Sequence, residues 1–219
     1  MAITGLIFFG DSILAGTGAS TRDLGCAKLV KSALTFPVSL RTRNWNTSED
    51  GLQRLSSDVL SQKDLSHVFI LFGNNDCWFQ ADGVPKIAIN KMHQNLIEMG
   101  TKIKNNGQVP IFCNLQPINS KKLFNAYPEL CSISKSAETD PSKLQGMYSK
   151  EIKRIADLLD CQMIDIRLPL ESEIEFVLSD DGLHPNDRGH RVIALQILKR
   201  LNQLYLNQGT KINLENYLD

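Results

Sequence analysis

The stretch Ile3–Ser12, ITGLIFFGDS, places an apolar segment directly before a Gly-Asp-Ser turn. The segment from Ile3 to Phe9 contains no charged residue and does not alternate strictly between apolar and polar positions. A strand of this kind is buried on both faces, which is typical of a parallel sheet covered by helices on each side. We therefore predict that it forms the first strand of such a sheet.

Four further short apolar segments are predicted strands: Val38–Arg43, His67–Phe72, Val109–Cys113 and Cys161–Ile166. Patterns with helical spacing lie between and after them. One helix is expected to begin at a capping Ser48, one covers residues 89–103, one covers 144–159, and the last begins near Pro185. This repeated alternation predicts a doubly wound α/β fold with a five-stranded parallel sheet.

Composition excludes several classes of protein. The 219 residues carry 24 Lys and Arg against 24 Asp and Glu, so the formal net charge is zero. A nucleic-acid binder usually has a basic face, and a membrane-docking protein usually has a basic cluster. No apolar run approaches the roughly 20 residues that span a bilayer. We expect no nucleic-acid partner and no integral membrane segment, and either a monomer or a homodimer.

The cysteines and the N-terminus bear on the compartment. The five cysteines are odd in number and widely spaced, and none forms a CxxC pair, which favours free thiols over a disulfide framework or a zinc site. The apolar N-terminal run is short and has no preceding Lys or Arg, unlike a signal peptide. We expect a cytoplasmic protein, although a secreted form stays open.

The turn Gly10–Ser12 follows the first predicted strand. A serine there stands at the carboxyl end of the sheet and at the start of a helix, where backbone N–H groups favour negative charge. Ser12 is therefore placed to attack a carbonyl carbon while its own N–H helps to hold the oxyanion. Taken alone, Gly-Asp-Ser is weak evidence for a nucleophile, and a plain helix cap explains it better.

A second polar cluster, Gly73–Asp76, directly follows the third predicted strand. Parallel strands end at one edge of a sheet, so this cluster should face the same crevice as Ser12. The side-chain amide of Asn75 is a neutral donor suited to an oxyanion hole. An ordinary Asn/Asp turn is the alternative reading.

A third motif supplies a base. His184 is suited to general base catalysis at neutral pH, and Asp181 lies three residues earlier, within reach of the second imidazole nitrogen if the segment turns before Pro185. The alternative is a plain turn followed by a helix. The remaining histidines, at positions 67, 93 and 190, lie on predicted strands or helices without metal-ligand spacing, and we interpret them as structural or solvated.

In order and spacing, the three motifs resemble those of the SGNH, or GDSL-type, hydrolase family. The likeness rests on Gly10–Ser12, on Gly73 with Asn75 and Asp76, and on Asp181 with His184, so it covers almost the whole chain. It implies a three-layer α/β/α, flavodoxin-like fold in one domain, residues 1–219.

The resemblance also implies residue roles. Ser12 would be the nucleophile, His184 the general base and acid, Asp181 the residue that orients it, and Asn75 an oxyanion donor. The expected activity is that of a serine esterase or lipase that cleaves a small-molecule carboxylic ester or thioester substrate through an acyl-enzyme, with no cofactor or metal. A flavodoxin-like binding module without enzymatic activity and an inactive relative of the hydrolases are the alternatives.

One position departs from the family pattern. The family usually has a glycine after the second strand, whose backbone N–H completes the oxyanion hole. The nearest glycine, Gly51, falls inside the predicted helix, and phasing on the segment from Gly51 to Leu55 puts the expected position at Trp45. We therefore expect Trp45, or the adjacent Asn46, to be the backbone donor.

Two further expectations concern the crevice. Trp45, Trp78 and Phe79 are expected to flank it and to favour short acyl groups such as acetyl, although ordinary partial burial explains these aromatic residues equally well. The polar segment from Lys121 to Ser142 does not fit the strand–helix alternation. It is either a functional lid or binding loop, or a surface excursion with a short helix.

Overall fold

A single parallel sheet is the centre of the computed structural model, which describes residues 3–206. Its strands are β1 Leu6–Gly10, β2 Val38–Thr42, β3 His67–Leu71, β4 Val109–Cys113 and β5 Gln162–Ile164. Their spatial order is β2-β1-β3-β4-β5, and every neighbouring pair is parallel. This order is that of flavodoxin-like doubly wound folds, so the predicted fold class is confirmed.

The strands are close to their predicted positions but differ at their ends. β1 begins at Leu6 instead of Ile3, because Thr4 makes side-chain bonds: its N–H donates to Ser66 Oγ and its hydroxyl to the Asp64 carbonyl. The fifth strand is only three residues long. It ends early because the Asp165 carboxylate accepts backbone N–H bonds that turn the chain into a helix.

Ten helices surround the sheet within residues 3–206. They are α1 Ser12–Ala15, α2 Cys26–Ala33, α3 Ser48–Leu55, α4 Ile89–Asn105, α5 Ser120–Ala126, α6 Pro128–Ser136, α7 Pro141–Leu158, α8 Arg167–Glu171, α9 Ile174–Val177 and α10 Asp187–Leu206. A 3₁₀ turn covers Arg22–Leu24, and α3 continues into a π-helical turn, Ser56–Leu60.

The helices form two layers. Helices α2 and α10 pack together on one side of the sheet, while α3, α4 and α7 form the layer on the other. Strands β1 and β3 lie between these layers, and all of their side chains are buried. Among the described residues, no helix is long and apolar enough to cross a membrane. One domain over residues 1–219 stays a prediction, since residues 1–2 and 207–219 lie outside the described part.

The start of α3 differs from the prediction. Thr47, not Ser48, is its N-cap: the Thr47 hydroxyl accepts the Asp50 N–H, and the Asp50 carboxylate accepts the Thr47 N–H at 2.8 Å. This reciprocal pair is a capping box. Ser48 is instead the first helical residue, and its side chain is buried.

The segment from Lys121 to Ser142 folds as helices α5 and α6 and the first residues of α7, so it holds more helix than the predicted excursion with one short helix. Buried apolar residues of α5 and α6, among them Leu123 and Leu130, pack with Phe79 and Leu183 in a small cluster separate from the main core. This cluster fixes the segment next to the turn that contains His184.

Candidate active site

Ser12 lies at the carboxyl edge of the sheet, two residues after β1. Asp11 caps the short helix α1 by accepting the Ile13 N–H at 3.0 Å, and Gly16 ends the helix in the left-handed region, at φ +86°. Ser12 is the first residue of α1, so its own N–H has no partner within the helix. That N–H makes no hydrogen bond to any of residues 3–206, and the Ser12 side chain opens into a crevice.

The segment before α10 brings His184 and Asp181 to Ser12. His184 Nε2 lies 3.1 Å from Ser12 Oγ, and His184 Nδ1 lies 2.6 Å from Asp181 Oδ2. A hydroxyl, an imidazole and a carboxylate therefore form one continuous row of hydrogen bonds. The sequence prediction that Asp181 reaches the second imidazole nitrogen agrees with this geometry.

A tight turn holds this pair. The Ser179 N–H donates to the His184 carbonyl at 2.8 Å, and the Gly182 N–H donates to the Ser179 carbonyl at 3.1 Å. Gly182 has a φ of +69°, and a Cβ atom there would lie 2.5 Å from the Asn119 carbonyl oxygen. Glycine is required at this position for both reasons.

The Asp181 carboxylate is held in its ionised form. Burial alone would raise the pKa of Asp181, but hydrogen bonds from the His184 side chain and N–H, the Leu183 N–H and the Ser179 hydroxyl hold it well below its usual range. An ionised carboxylate only accepts hydrogen bonds, so His184 Nδ1 must carry a proton. In the neutral imidazole, Nε2 then presents its lone pair to the Ser12 hydroxyl.

Asn75 follows β3 on the same edge of the sheet. Its Nδ2 donates to the Asn46 carbonyl at 2.9 Å, which uses one of the two amide hydrogens. Within residues 3–206, the second amide hydrogen has no further partner, and Asn75 lines the crevice with Ser12. Asn75 thus keeps one donor available at the crevice.

Trp45 lies in the loop between β2 and α3 with a φ of +64°. A residue with a Cβ atom is strained in this left-handed region, whereas glycine is not. The Trp45 N–H has no partner among the described residues, while the Asn46 N–H donates to the Arg43 carbonyl at 3.4 Å. Of the two predicted donors in this loop, Trp45 is therefore the one with a free N–H.

Gly51 has a different reason to be glycine. It lies inside α3, and its N–H donates to the Thr47 carbonyl at 3.0 Å, as expected from the sequence. A Cβ atom at Gly51 would lie 2.7 Å from the Phe72 ring. Gly51 lets the helix pack against the core and supplies no donor to the crevice.

The crevice at Ser12 is small, with a volume of about 40 Å³, and Trp45 is one of the residues that line it. A larger and mainly polar cavity of about 590 Å³ adjoins it and shares Thr17 and Asn44 with it. Trp78 and Phe79 flank the crevice instead of lining it directly: they line a small apolar cavity that shares Asn74 and Leu183 with the crevice, and the Trp78 ring packs edge-on against Trp45. Phe79 is buried in the small cluster, and Trp78 packs edge-on against Tyr127.

Several buried polar residues behind the crevice were not assigned a role from the sequence. Asn74 Nδ2 donates to Asp11 Oδ2 at 3.2 Å, and Gln145 Nε2 donates to Asn74 Oδ1 at 3.0 Å. Gln145 Oε1 in turn accepts from the Arg167 guanidinium at 2.6 Å. These residues are far apart in sequence, so only the tertiary structure shows that they form a connected series of hydrogen bonds.

Asp76 supports the loop that contains Trp45. Its carboxylate accepts the Ser48 N–H at 2.9 Å and also bonds the Ser48 hydroxyl, which accepts from Asn95 Nδ2 at 3.0 Å. Burial raises the pKa of Asp76 to about 6, and the bonds from Ser48 limit the increase. Asp76 thereby anchors the start of α3 instead of facing the crevice.

The other three histidines are placed away from the row at Ser12. His190 Nε2 lies 3.0 Å from the Thr17 carbonyl, and its Nδ1 accepts the Cys26 N–H at 3.3 Å. Burial lowers the pKa of His190 to about 4, which favours the neutral ring. His67 is buried in β3, and His93 pairs with Glu151 at 2.6 Å. None of the three lines the crevice.

Comparison with known proteins identifies the family. The profile of the GDSL-like Lipase/Acylhydrolase family matches residues 8–192. The chain is 25% identical to the uncharacterized lipoprotein YqeF of Bacillus subtilis (strain 168) over 169 residues, which cover 73% of this chain and 69% of the relative.

Solved structures share the fold. A lipase/acylhydrolase from Enterococcus faecalis superimposes with a TM-score of 0.71 at 23% identity, covering 90% of this chain and 94% of that one. The acetyl xylan esterase AlAXEase gives a TM-score of 0.71 at 22% identity, covering 90% and 99%. The acetylxylan esterase Axe2 from Geobacillus stearothermophilus gives 0.69 at 20% identity, covering 90% and 93%.

The family match decides between an enzyme and the binding module considered from the sequence. A binding module with the same strand order would share the sheet but has no reason to match this family profile. The match runs from within β1, before Ser12, into α10, after His184. The chain therefore belongs to the GDSL-like lipase/acylhydrolase family and is a carboxylic ester hydrolase.

Proposed function

We propose that the protein hydrolyses esters through a Ser12–His184–Asp181 triad and a covalent acyl-enzyme. The observation that carries the proposal is the pair of distances at His184, 3.1 Å from Nε2 to Ser12 Oγ and 2.6 Å from Nδ1 to Asp181 Oδ2. The first distance is within hydrogen-bond reach for a nucleophile and its base, and the second for a base and the group that orients it.

The first half of the reaction forms the acyl-enzyme. Ser12 Oγ attacks the ester carbonyl carbon as His184 Nε2 takes the hydroxyl proton, and Asp181 stabilises the resulting imidazolium. The tetrahedral intermediate collapses as His184 returns the proton to the leaving alcohol. A water molecule, deprotonated by His184, then attacks the acyl-enzyme and releases the acid and free Ser12.

Three donors would stabilise the oxyanion: the N–H groups of Ser12 and Trp45 and the second amide hydrogen of Asn75. None of them donates to another described residue, and all three residues line the crevice. Donors that are already oriented stabilise the charge that develops in the transition state without reorganising.

We also propose a short acyl group and a polar alcohol. A crevice of about 40 Å³ suits an acetyl group better than a long chain, whereas the adjoining cavity of about 590 Å³ is lined by Thr17, Thr42, Asn44 and other polar groups. The structural neighbours AlAXEase and Axe2 are named acetyl xylan esterases, names that describe an acetyl ester of xylan. A short-chain thioester would use the same acyl-enzyme.

The triad is tested by comparing the wild type with Ser12→Ala on p-nitrophenyl acetate. We expect a loss of kcat of at least about 10³-fold and the loss of covalent labelling by a fluorophosphonate. An active Ser12→Ala protein would refute the mechanism. A folded wild type that neither hydrolyses nor labels would point to an inactive relative.

The substrate is tested with two matched series. For p-nitrophenyl esters, kcat/KM should fall by about tenfold or more between acetyl and hexanoyl, because the longer chain does not fit the crevice. Among acetyl esters, kcat/KM should be higher for glycerol monoacetate than for propyl acetate, which differs from it only in lacking two hydroxyl groups. A higher kcat/KM for long acyl chains would contradict the first expectation. Equal values for glycerol monoacetate and propyl acetate would contradict the second.

The cytoplasmic compartment, the monomer or homodimer and the absence of a nucleic-acid partner stay predictions, and the relative YqeF is named a lipoprotein.

All five cysteines are free, and burial raises the pKa of the Cys26 thiol to about 12, which keeps it unreactive. Thiol titration of the protein, purified without reductant and then denatured, should find five free thiols.

A further inference from the structure

Arg54 is a buried charged residue that lies beneath the candidate site and not in it. Its side chain is 7% exposed, and its guanidinium carbon lies 4.4 Å from the centre of the Phe9 ring. A buried cation is costly unless it is fully hydrogen-bonded. The partners of Arg54 therefore show what the residue holds in place.

Each nitrogen of the guanidinium has a partner. Nη2 donates to the Gly10 carbonyl at 3.0 Å, and Nη1 donates to the Arg41 carbonyl at 2.9 Å and to Asp58 Oδ2 at 2.7 Å. Nε donates to Asn46 Oδ1 at 2.8 Å. One side chain thus joins the ends of β1 and β2 to the loop that follows β2.

Asn46 connects this fork to the crevice. Its carbonyl accepts the bond from Asn75 Nδ2 at 2.9 Å, and it directly follows Trp45, whose φ is +64°. Two of the three proposed oxyanion donors therefore depend on where Asn46 lies. The ion pair with Asp58 is enough to balance the charge of Arg54. The bond from Nε to Asn46 is not needed for charge balance, and it is the bond that reaches the loop.

We propose that Arg54 is a positioning residue that acts through Asn46 to hold the Trp45 N–H and the Asn75 amide at the oxyanion. This inference rests on the proposed function. It assigns Arg54 a catalytic effect without any contact to the substrate: a displaced loop weakens the binding of the transition state and leaves ground-state binding almost unchanged.

The test is a double-mutant cycle with Arg54→Lys and Asn46→Ala on p-nitrophenyl acetate. Lysine keeps the charge near Asp58 but lacks the planar fork. Asn46→Ala removes only the partly exposed acceptor of Nε, so it leaves the core intact. We expect each variant to lower kcat by about ten- to a hundredfold with KM within about twofold, and the double variant to be no worse than Arg54→Lys.

Arg43→Gln is the matched control. The Arg43 side chain also reaches Asp58, at 3.5 Å, but is 60% exposed and makes no bond to Asn46. Its kcat should equal that of the wild type. Rates are expressed per active site, counted by fluorophosphonate titration, so that a loss of folded protein does not pass for a loss of turnover.

Three results would overturn the inference. They are an Asn46→Ala protein with wild-type kcat, losses that multiply in the double variant, or losses that vanish when rates are expressed per active site. An active Ser12→Ala protein would instead refute the proposed function, and this inference with it. The two failures are therefore distinguishable.

Discussion

Asp11 and Asn74 are joined by a hydrogen bond, in which Asn74 Nδ2 donates to Asp11 Oδ2 at 3.2 Å. Asp11 precedes Ser12, and Asn74 precedes Asn75, so this bond joins the turn with the proposed nucleophile to the turn with a proposed oxyanion donor. The two turns follow β1 and β3, the neighbouring strands where the order of the sheet reverses.

The Asp11 carboxylate has an unusual pKa. Burial raises it to about 6, although the bonds from Ile13 and Asn74 lower it in part. In the unfolded chain the carboxyl ionises near its ordinary value of about 3.9. Between these two values the folded protein keeps a proton that the unfolded chain has lost. Asp11 therefore makes the free energy of unfolding fall as the pH rises from about 4 to 6.

Asp11→Asn should remove this dependence. The wild type should lose on the order of 3 kcal/mol of stability relative to Asp11→Asn between pH 4 and pH 7, which corresponds to the difference of about two pKa units. Urea denaturation of both proteins across that range measures the difference. His190 and the other titrating groups that do not interact with Asp11 are present in both proteins and cancel, and the repulsion by Asp76 is the smallest of the causes that shift the pKa of Asp11. Parallel stability curves would show that Asp11 is not protonated in the fold at mildly acidic pH.

Asp181→Asn should reduce kcat by about 10⁴-fold, the size of the loss known for the same change in a serine-protease triad. The asparagine oxygen still accepts the Leu183 and His184 N–H groups, so the amide nitrogen faces His184 Nδ1 and donates to it. The imidazole then carries its proton on Nε2 and has no lone pair for Ser12. Hydrolysis of p-nitrophenyl acetate measures the loss.

Ser179→Ala is the control for the Asp181 variant. It removes one hydrogen bond, at 2.7 Å, from Asp181 Oδ1, which also accepts the Leu183 and His184 N–H groups, and leaves the bond between Asp181 Oδ2 and His184 Nδ1 in place. We expect kcat within about threefold of the wild type, because the tautomer of His184 is unchanged. If Asp181→Asn were as active as Ser179→Ala, another group would have to orient the imidazole.

The sequence predicts the sheet well because most of its strands are short apolar segments. β1 ends at Gly10, Gly73 closely follows β3, and Asn114 directly follows β4. The shared carboxyl edge of parallel strands suffices to predict that Ser12 and Asn75 meet. Asp181 and His184 follow helix α9 and no strand, so only the resemblance to the hydrolase family predicts that they join the site. Strand ends and caps are less predictable. Thr47 and Ser48 are equally good capping residues in sequence, and only the bond between Thr47 and Asp50 decides between them.

The residues that sequence reasoning missed act through distant partners. Arg54 looks like one more charge on a surface helix, yet its side chain is buried beneath the loop at Asn46. Gln145 meets Asn74 across 71 positions of sequence. Trp78 and Phe79 follow the oxyanion turn closely, but they pack with the helices after β4. Such contacts depend on tertiary packing and leave no local pattern.

Trp45 combines a strained backbone with an exposed indole. Its φ of +64° lies in the left-handed region, which costs a residue with a Cβ atom roughly 1–2 kcal/mol, and its side chain is 60% exposed. Trp45 stands where the family usually has glycine, and its backbone keeps a conformation that suits glycine. The strain and the narrowing of the crevice can be separated by two substitutions.

Trp45→Gly and Trp45→Ala should differ in stability but not in specificity. Both remove the indole from the crevice, so both should raise kcat/KM for hexanoyl relative to acetyl esters by about tenfold. Only glycine relieves the backbone, so Trp45→Gly should be more stable than Trp45→Ala by about 1 kcal/mol, opposite to the usual ranking of these residues. Urea denaturation and an acyl-length series measure the two effects. An alanine variant at least as stable as the glycine variant would mean that the loop relaxes out of the left-handed region, and it would remove the basis for assigning the Trp45 N–H to the oxyanion.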